Sequence, residues 1–180
     1  VPFKKPTTEE LDHDFLWRVH KEVPAKGQIA IFNRSHYEDI IAVRVKKIFP
    51  DPVWKRRYKH VLDFESMLAE EGTVIIKLFL NISKEEQKKR LESRLQDPDK
   101  LWKFCMDDLD DRNRWDEFQT AYQDLIEKTS TPEAPWYIIP ADRKWYRNLV
   151  VARLMVEKLR HLQLSLPTPN FDPASIIIPD

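Results

Sequence analysis

An asparagine and an arginine at the end of a short apolar run are the first residues here that could do phosphate chemistry. The run occupies residues 28–32 and is followed by Asn33 and Arg34. An amide oxygen can bind a metal ion or a water molecule, and a guanidinium can hold phosphate oxygens with two donors. The pattern alone favours this interpretation no more than an ordinary connection with a hydrated arginine.

Further arginines lie in segments that the sequence predicts to be helical. Arg90 and Arg94 are four residues apart, which places them on one face of a predicted helix. Arg112 and Arg114 lie near the start of another predicted helix, among aspartates. A helix dipole favours acidic residues at that end, so the two arginines need another reason, and facing an anion would supply one.

A basic stretch follows the apolar run. On a helix such a stretch usually forms a solvated face, and the alternative is a rail for a polyanion. Both interpretations stay open. The residues are Arg44, Lys46, Lys47, Lys55, Arg56, Arg57, Lys59 and His60.

Strands and helices alternate along the chain. Apolar runs predict strands at residues 28–32, 73–82 and 136–139, the first buried on both faces of a sheet. Capping boxes are predicted at Thr7 with Glu10, Ser35 with Glu38, and Ser83 with Glu86. The predicted helices occupy residues 8–23, 36–45, 53–71, 84–95, 107–128 and 144–162.

This alternation predicts an α/β fold with a doubly wound parallel sheet. Ligands bind such sheets where the carboxyl ends of strands meet the N-termini of helices. The arginine-rich helices between the second and third strands predict a mobile lid at about residues 84–128. The lid belongs to a predicted domain of residues 1–163, and residues 164–180 form an extended tail.

Composition excludes several classes of protein. The 180 residues carry 30 basic and 30 acidic side chains, so net charge gives no attraction toward nucleic acid or membrane. No apolar run approaches the roughly 18 residues that a membrane helix needs. Cys105 is the only cysteine, which excludes an internal disulfide and a zinc site with several cysteines. These observations predict a protein of the reducing cytoplasm.

Four sequence blocks resemble the polyphosphate kinase 2 family. They are FNRSHYED at residues 32–39, ISKEEQ at 82–87, WKF at 102–104 and APWYIIPADRKW at 134–145. The Asn-Arg-Ser sequence is most similar to the class III branch, whose members use AMP and ADP, and FDPAS at 171–175 resembles tails in that group.

The resemblance implies a P-loop kinase-like, three-layer α/β/α fold with a parallel sheet and a helical lid. It implies Mg²⁺-dependent phosphoryl transfer from inorganic polyphosphate to AMP or ADP, in a homo-oligomer. Asn33 and Arg34 would take the Walker B place, near the metal and the phosphates. The implied lid residues are Arg90, Arg94, Lys103 and Arg112, and the implied polyphosphate channel contains Lys4, Lys5, Arg44, Lys46 and Lys47.

The glycines depart from the family pattern. Family members carry a G-x-D-x-x-G-K segment before the Walker B block, and a Gly-rich phosphate loop needs two glycines within six residues. This chain has only Gly27 and Gly72, so the first strand and its loop are absent from it. We therefore expect the 180 residues alone to bind polyphosphate weakly without turnover. Alternatives are a non-catalytic polyphosphate- or nucleotide-binding protein and, more weakly, an ATP-dependent nucleoside monophosphate kinase.

Overall fold

The sheet consists of two parallel strands, β1 (Lys77–Asn81) and β2 (Trp136–Pro140), within the residues described by this computed structural model, 1–166 and 168–179. Their register runs from Lys77 opposite Trp136 to Asn81 opposite Pro140. Parallel strands require a crossover connection, and residues 82–135, which are rich in helix, provide it. The predicted class, α/β with a parallel sheet, is confirmed.

Helices make up most of the remaining described structure. Short 3₁₀ segments occupy Pro98–Lys103 and Pro173–Ser175. None of the helices in the described ranges is both long and apolar enough to cross a membrane. The α-helices are α1 (Thr8–Asp12), α2 (Trp17–His20), α3 (Glu38–Val45), α4 (Asp51–Glu70), α5 (Lys84–Gln96), α6 (Asp107–Asn113), α7 (Trp115–Thr129) and α8 (Lys144–His161).

The main core lies between α3, α4 and α7. Ile40 and Ile41 of α3 are buried against Val61 of α4 and Leu125 of α7. Burial of each such aliphatic side chain contributes about 1.5–3 kcal/mol. Because α3 is buried on most of its surface, it holds the segment before it, which contains Asn33 and Arg34, in a fixed place.

The predicted strand at residues 28–32 is wrong. Asn33 forms one isolated parallel bridge with Pro2, in which its N–H donates to the Val1 carbonyl at 2.9 Å. Ile29 and Ile31 are 67% and 75% exposed. A strand buried on both faces needs neighbours on both edges and a layer on each face. In the described chain, residues 1–3 are the pairing partner of this segment, which leaves its apolar side chains in solvent.

Two predicted helices are interrupted. The helix predicted for residues 8–23 breaks between α1 and α2, because Asp14 Oδ1 accepts the backbone N–H groups of Leu16 and Trp17 at 2.9 and 3.1 Å. Such local bonds compete with helix continuation. The helix predicted for residues 107–128 bends at Arg114, whose φ of −99° and ψ of 26° leave the helical region.

The capping boxes have different outcomes. The box of Thr7 and Glu10 is confirmed, with both reciprocal bonds present. Ser83 caps α5 by accepting the Glu86 N–H at 3.1 Å, which confirms its half of the predicted box. The box at Ser35 is wrong, because α3 begins only at Glu38 and has no side-chain cap.

Candidate functional site

A cleft of about 670 Å³ lies at the carboxyl ends of the two strands. Its floor contains Asn81 and Pro140, the last residues of β1 and β2. This is the edge at which open α/β sheets bind ligands. The surrounding residues come from the segment joining β1 to α5, from the start of α5, from α7, and from the segment joining β2 to α8 with the first turn of α8: Ile82, Ser83, Lys84, Glu85, Trp115, Gln119, Ala141, Asp142, Arg143 and Tyr146.

Hydrogen bonds attach the N-terminus of α5 to the end of β2. The backbone N–H of Ser83 donates to Asp142 Oδ1 at 2.7 Å. This bond holds the pKa of Asp142 below its usual range, so the carboxylate stays charged at neutral pH. The local sequence explains the arrangement, because Ser83 caps the helix with its hydroxyl while its backbone N–H remains free for Asp142.

Arg90 reinforces the same junction. Its Nη2 donates to the carbonyl oxygens of Ala141 and Asp142 at 2.6 and 3.1 Å, and its Nε donates to Glu86 at 2.8 Å. A planar guanidinium can serve three acceptors at once. Arg90 therefore holds α5 against the edge of the cleft.

The other predicted lid cations lie farther along the crossover. Arg94 Nη1 donates to Asp108 at 3.2 Å and to the Lys103 carbonyl at 3.4 Å. Lys103 is exposed, with its ammonium 5.0 Å from the Trp102 ring centroid. The structure thus brings Arg94 and Lys103 together beside the 3₁₀ segment.

Two arginines near the start of the predicted helix bind the protein itself. Arg112 Nη1 donates to the Lys84 carbonyl and to Gln87 Oε1, both at 2.8 Å. Arg114 Nη1 donates to the Val45 carbonyl at 2.9 Å. Because the predicted helix is divided at Arg114, Arg112 lies in the last turn of α6, where the helix dipole favours a cation. Both arginines bind neutral oxygen acceptors rather than an anion.

Arg34 occupies a strained turn beside a buried carboxyl group. Its φ is 61°, a left-handed conformation that is disfavoured for a residue with a side chain. Burial raises the pKa of Glu38, and the positive charge of Arg34 acts in the opposite direction. Burial, assisted by the negative charge of Glu38, also raises the pKa of Tyr122 to about 12. Arg34, Glu38 and Tyr122 are thus electrostatic neighbours.

The residues of the predicted polyphosphate channel are not equivalent. Arg44 forms an ion pair with Asp124 at 2.6 Å, and Lys46 forms one with Asp111 at 2.7 Å. Lys4, Lys5 and Lys47 are exposed, the last with a φ of 53°. Two of the five cations, Arg44 and the exposed Lys46, are therefore engaged by carboxylates of α7 and α6.

The described residues do not build a metal site. Asn33 is exposed, and its backbone N–H and C=O are both used in the bridge with residues 1–3. No group of three or more histidine, cysteine, aspartate or glutamate side chains within residues 1–166 and 168–179 could hold a metal ion. Mg²⁺ is bound through carboxylates, waters and substrate phosphates, and a lone neutral amide does not meet that need.

Sequence reasoning missed several residues of the cleft. Trp115, Gln119 and Tyr146 line it, but an aromatic or glutamine in a helical pattern also suits a core or a surface. It also missed the burial of Lys77, although a lysine inside the apolar run at residues 73–82 was a usable signal. A buried lysine requires a partner, and Lys77 bonds to Glu65 and to the Thr129 carbonyl.

A parallel α/β fold with a cleft at its strand ends defines a class of protein that binds ligands at that edge of the sheet. The model of the family described as Polyphosphate kinase 2 matches residues 1–166. The chain belongs to the polyphosphate kinase 2 family.

Relatives and solved structures agree with this assignment. The chain is 53% identical to the AMP/ADP-polyphosphate phosphotransferase of Meiothermus ruber, over 98% of this chain and 66% of the relative. It is 39% identical to the ADP-polyphosphate phosphotransferase of Rhodopseudomonas palustris, over 92% of this chain and 61% of that protein. The crystal structure of polyphosphate kinase 2 from Arthrobacter aurescens TC1 superimposes with a TM-score of 0.94 at 49% identity, covering 97% of this chain and 62% of the other. The chain thus spans somewhat less than two thirds of the length of these proteins.

Proposed function

We propose that the protein transfers a phosphoryl group from inorganic polyphosphate to AMP or ADP. The observation that carries the proposal is the cleft at the carboxyl ends of β1 and β2, bordered by the arginine-bearing helix α5. The relative that is 53% identical is named for transfer between polyphosphate and AMP or ADP. The substrates follow from that name, and the cleft supplies a place for their phosphates.

Phosphoryl transfer depends mainly on positioning and on electrostatic stabilisation of the transferred group. Arg34 and Lys103 are exposed and Arg94 is half-buried, so we assign these three cations to the phosphates. Arg90 and Arg112 already bind carbonyl oxygens, and their proposed role is to hold the lid helices in the geometry that the reaction needs.

We propose that residues 84–128 form the lid of a domain of residues 1–163, with residues 164–180 as a tail. The ion pair between Lys46 and Asp111 and the bond from Arg114 to Val45 connect α6 and its junction with α7 to the end of α3. These contacts fasten the middle of the lid to the rest of the fold. Opening the lid would require them to separate.

The accessible lysines Lys4, Lys5 and Lys47 are proposed to attract polyphosphate by their charge. Arg44 and Lys46 would contribute only after leaving Asp124 and Asp111. Mg²⁺ is proposed to arrive bound to the substrate phosphates, with Asn33 as at most one ligand from the described residues.

A donor comparison tests the proposal against its alternatives. The protein, with any residues that its gene encodes on either side of these 180, is incubated with AMP or ADP, Mg²⁺ and either polyphosphate or ATP. The nucleotides are then separated by ion-exchange chromatography. We expect product with polyphosphate well above that with ATP. Equal or better transfer from ATP would favour a nucleoside monophosphate kinase. Saturable polyphosphate binding without any product would favour a non-catalytic binding protein.

A further inference from the structure

A buried ion pair lies between α4 and β1. Lys77 and Glu65 are 6% and 3% exposed, and Lys77 Nζ donates to Glu65 Oε2 at 2.7 Å. The same ammonium donates to the Thr129 carbonyl at 2.6 Å and to Tyr37 Oη at 3.1 Å. The Tyr37 hydroxyl donates in turn to Glu65 Oε1 at 2.7 Å. All three donors of the lysine are thus used.

This network connects four parts of the chain. Tyr37 belongs to the turn that follows Arg34, Glu65 to α4, Lys77 to β1, and Thr129 is the last residue of α7. The Thr129 hydroxyl accepts the indole N–H of Trp136 at 2.9 Å, which extends the connection to β2. The ammonium group of Lys77 therefore connects the Arg34 turn to the C-terminal end of α7 through hydrogen bonds.

Stability alone does not explain such a pair. Removing two charges from water is costly, and replacement of a buried ion pair by apolar side chains is often neutral or stabilising. Burial, together with the charge of Glu65, raises the pKa of Tyr37 well above its usual range, so its hydroxyl remains a donor. What the network provides is geometry, since each polar atom is satisfied in only one arrangement of the four segments.

The Arg34 turn is a segment that needs such support. Its left-handed conformation is disfavoured and persists only where the surroundings determine it. On one side, Asn33 is held by backbone bonds to Val1 and Phe3 at 2.9 and 3.1 Å. On the other side, Glu65 holds the side chain of Tyr37, with His36 Nε2 3.3 Å from the same carboxylate oxygen.

We propose that Glu65 and Lys77 are positioning residues, which fix the Arg34 turn and the C-terminal end of α7 relative to each other. Neither residue lies in the cleft, and they act through Tyr37 and Thr129. α7 carries Trp115 and Gln119 of the cleft, so the network fixes the position of Arg34 relative to the lid. The assignment of Arg34 to the phosphates rests on the proposed function, whereas the connection between the Arg34 turn and the end of α7 does not.

Amide hydrogen exchange tests the connection without substrate. The N–H groups of Glu38 and Asp39 bond to the carbonyls of Ser35 and His36 in the turn, and the N–H of Ser130 bonds to Ile126 at the end of α7. Lys77→Met removes the ammonium and Tyr37→Phe removes only the bridging hydroxyl. Tyr58→Phe is the matched control, because the Tyr58 hydroxyl is also buried but forms no hydrogen bond with Glu65, Lys77 or Thr129.

We expect exchange at Glu38 and Asp39 to accelerate about tenfold in Tyr37→Phe, in line with the loss of a hydrogen bond to a charged group. Lys77→Met accelerates these amides and that of Ser130 together, while the amides of the α4 core stay slow. Tyr58→Phe leaves all of them unchanged. Exchange that stays at the control level, or that rises uniformly over the chain, would overturn the proposal. If Lys77→Met does not fold, the same criteria apply to Tyr37→Phe at the turn.

A kinetic measurement separates positioning from mere structural support. With transfer from polyphosphate to AMP established for the wild type, Tyr37→Phe should lower kcat severalfold and leave KM for AMP nearly unchanged. An unchanged kcat despite a loosened turn would overturn the positioning role. A wild type without transfer contradicts the proposed function instead, and the exchange measurement then decides the inference alone.

Discussion

Arg90 and Arg94 lie one helical turn apart on α5, yet they have different partners. Arg90 binds two carbonyls at the end of β2, whereas Arg94 reaches Asp108 and the Lys103 carbonyl over longer distances. Shared helical spacing predicted a common face, and the structure adds that Arg94 has the longer contacts of the two.

Replacement of Arg94 by lysine is predicted to lower turnover with little change in stability. Lysine keeps the charge but loses the planar pair of donors that grips phosphate oxygens. A partly exposed ion pair contributes only about 0–1 kcal/mol. Turnover from polyphosphate and urea denaturation are measured together, with Arg153→Lys on the exposed face of α8 as control. Wild-type turnover in Arg94→Lys would leave Arg94 as an ordinary surface residue.

The ionised carboxylate of Glu65 makes the free energy of unfolding sensitive to acid. Burial alone would raise the pKa of Glu65, but the hydrogen bond from His36 and the charge of Lys77 outweigh burial and lower it. A carboxyl group with a lowered pKa in the folded state stabilises the fold above its unfolded pKa, near 4.3, and this contribution disappears as pH falls toward the folded pKa.

The prediction compares the wild type with Glu65→Gln. Their difference in free energy of unfolding should be constant near neutral pH and should shrink steadily below about pH 4.3. Urea denaturation over a pH series measures it, and Glu71→Gln at the exposed end of α4 controls for the loss of one carboxylate. A difference that is independent of pH, or that grows on acidification, would show that the carboxylate is not held in its charged form.

The junction between α5 and β2 depends on the cap at Ser83. Ser83→Ala removes the acceptor for the Glu86 N–H and should lower the free energy of unfolding by about 1 kcal/mol. Ser93→Ala, in the interior of the same helix and exposed, is the matched control and should be neutral or slightly stabilising. Equal effects of the two substitutions would mean that Ser83 does not act as a cap.

Elements with complete local signals were predicted closely. α5 begins after the Ser83 cap and ends before Asp97-Pro98, and α8 and β2 match their predicted ranges to within one residue. The prediction of a strand at residues 28–32 was wrong, because an apolar run does not reveal whether neighbouring strands exist to bury it. The break before α2 was not predicted. The carboxylate of Asp14 competes with the helix through hydrogen bonds that apolar spacing does not reveal.

The candidate site could be predicted only in part. Polar residues at the ends of β1 and β2 were expected from the fold class, and the cleft is there. The partners of the arginines were not predictable, because carbonyl oxygens such as those of Ala141 and Val45 leave no mark in the sequence. The assignment of Lys4, Lys5, Arg34 and Asn33 to substrates remains a prediction.

We propose that function arises where the parallel sheet and the crossover helices meet. The sheet presents its strand ends, α5 and α7 border them, and the buried pair of Glu65 and Lys77 relates these parts to the Arg34 turn. Family membership accounts for this arrangement of sheet and helices.

Phosphorus NMR of one reaction mixture shows whether phosphoryl groups pass from polyphosphate to AMP. The protein, including any residues that its gene encodes on either side of these 180, is mixed with AMP, polyphosphate and Mg²⁺. The account predicts that the AMP resonance declines while the α- and β-phosphate resonances of ADP appear, as polyphosphate is consumed in equal amount. An unchanged AMP resonance with a folded protein that binds polyphosphate would contradict it.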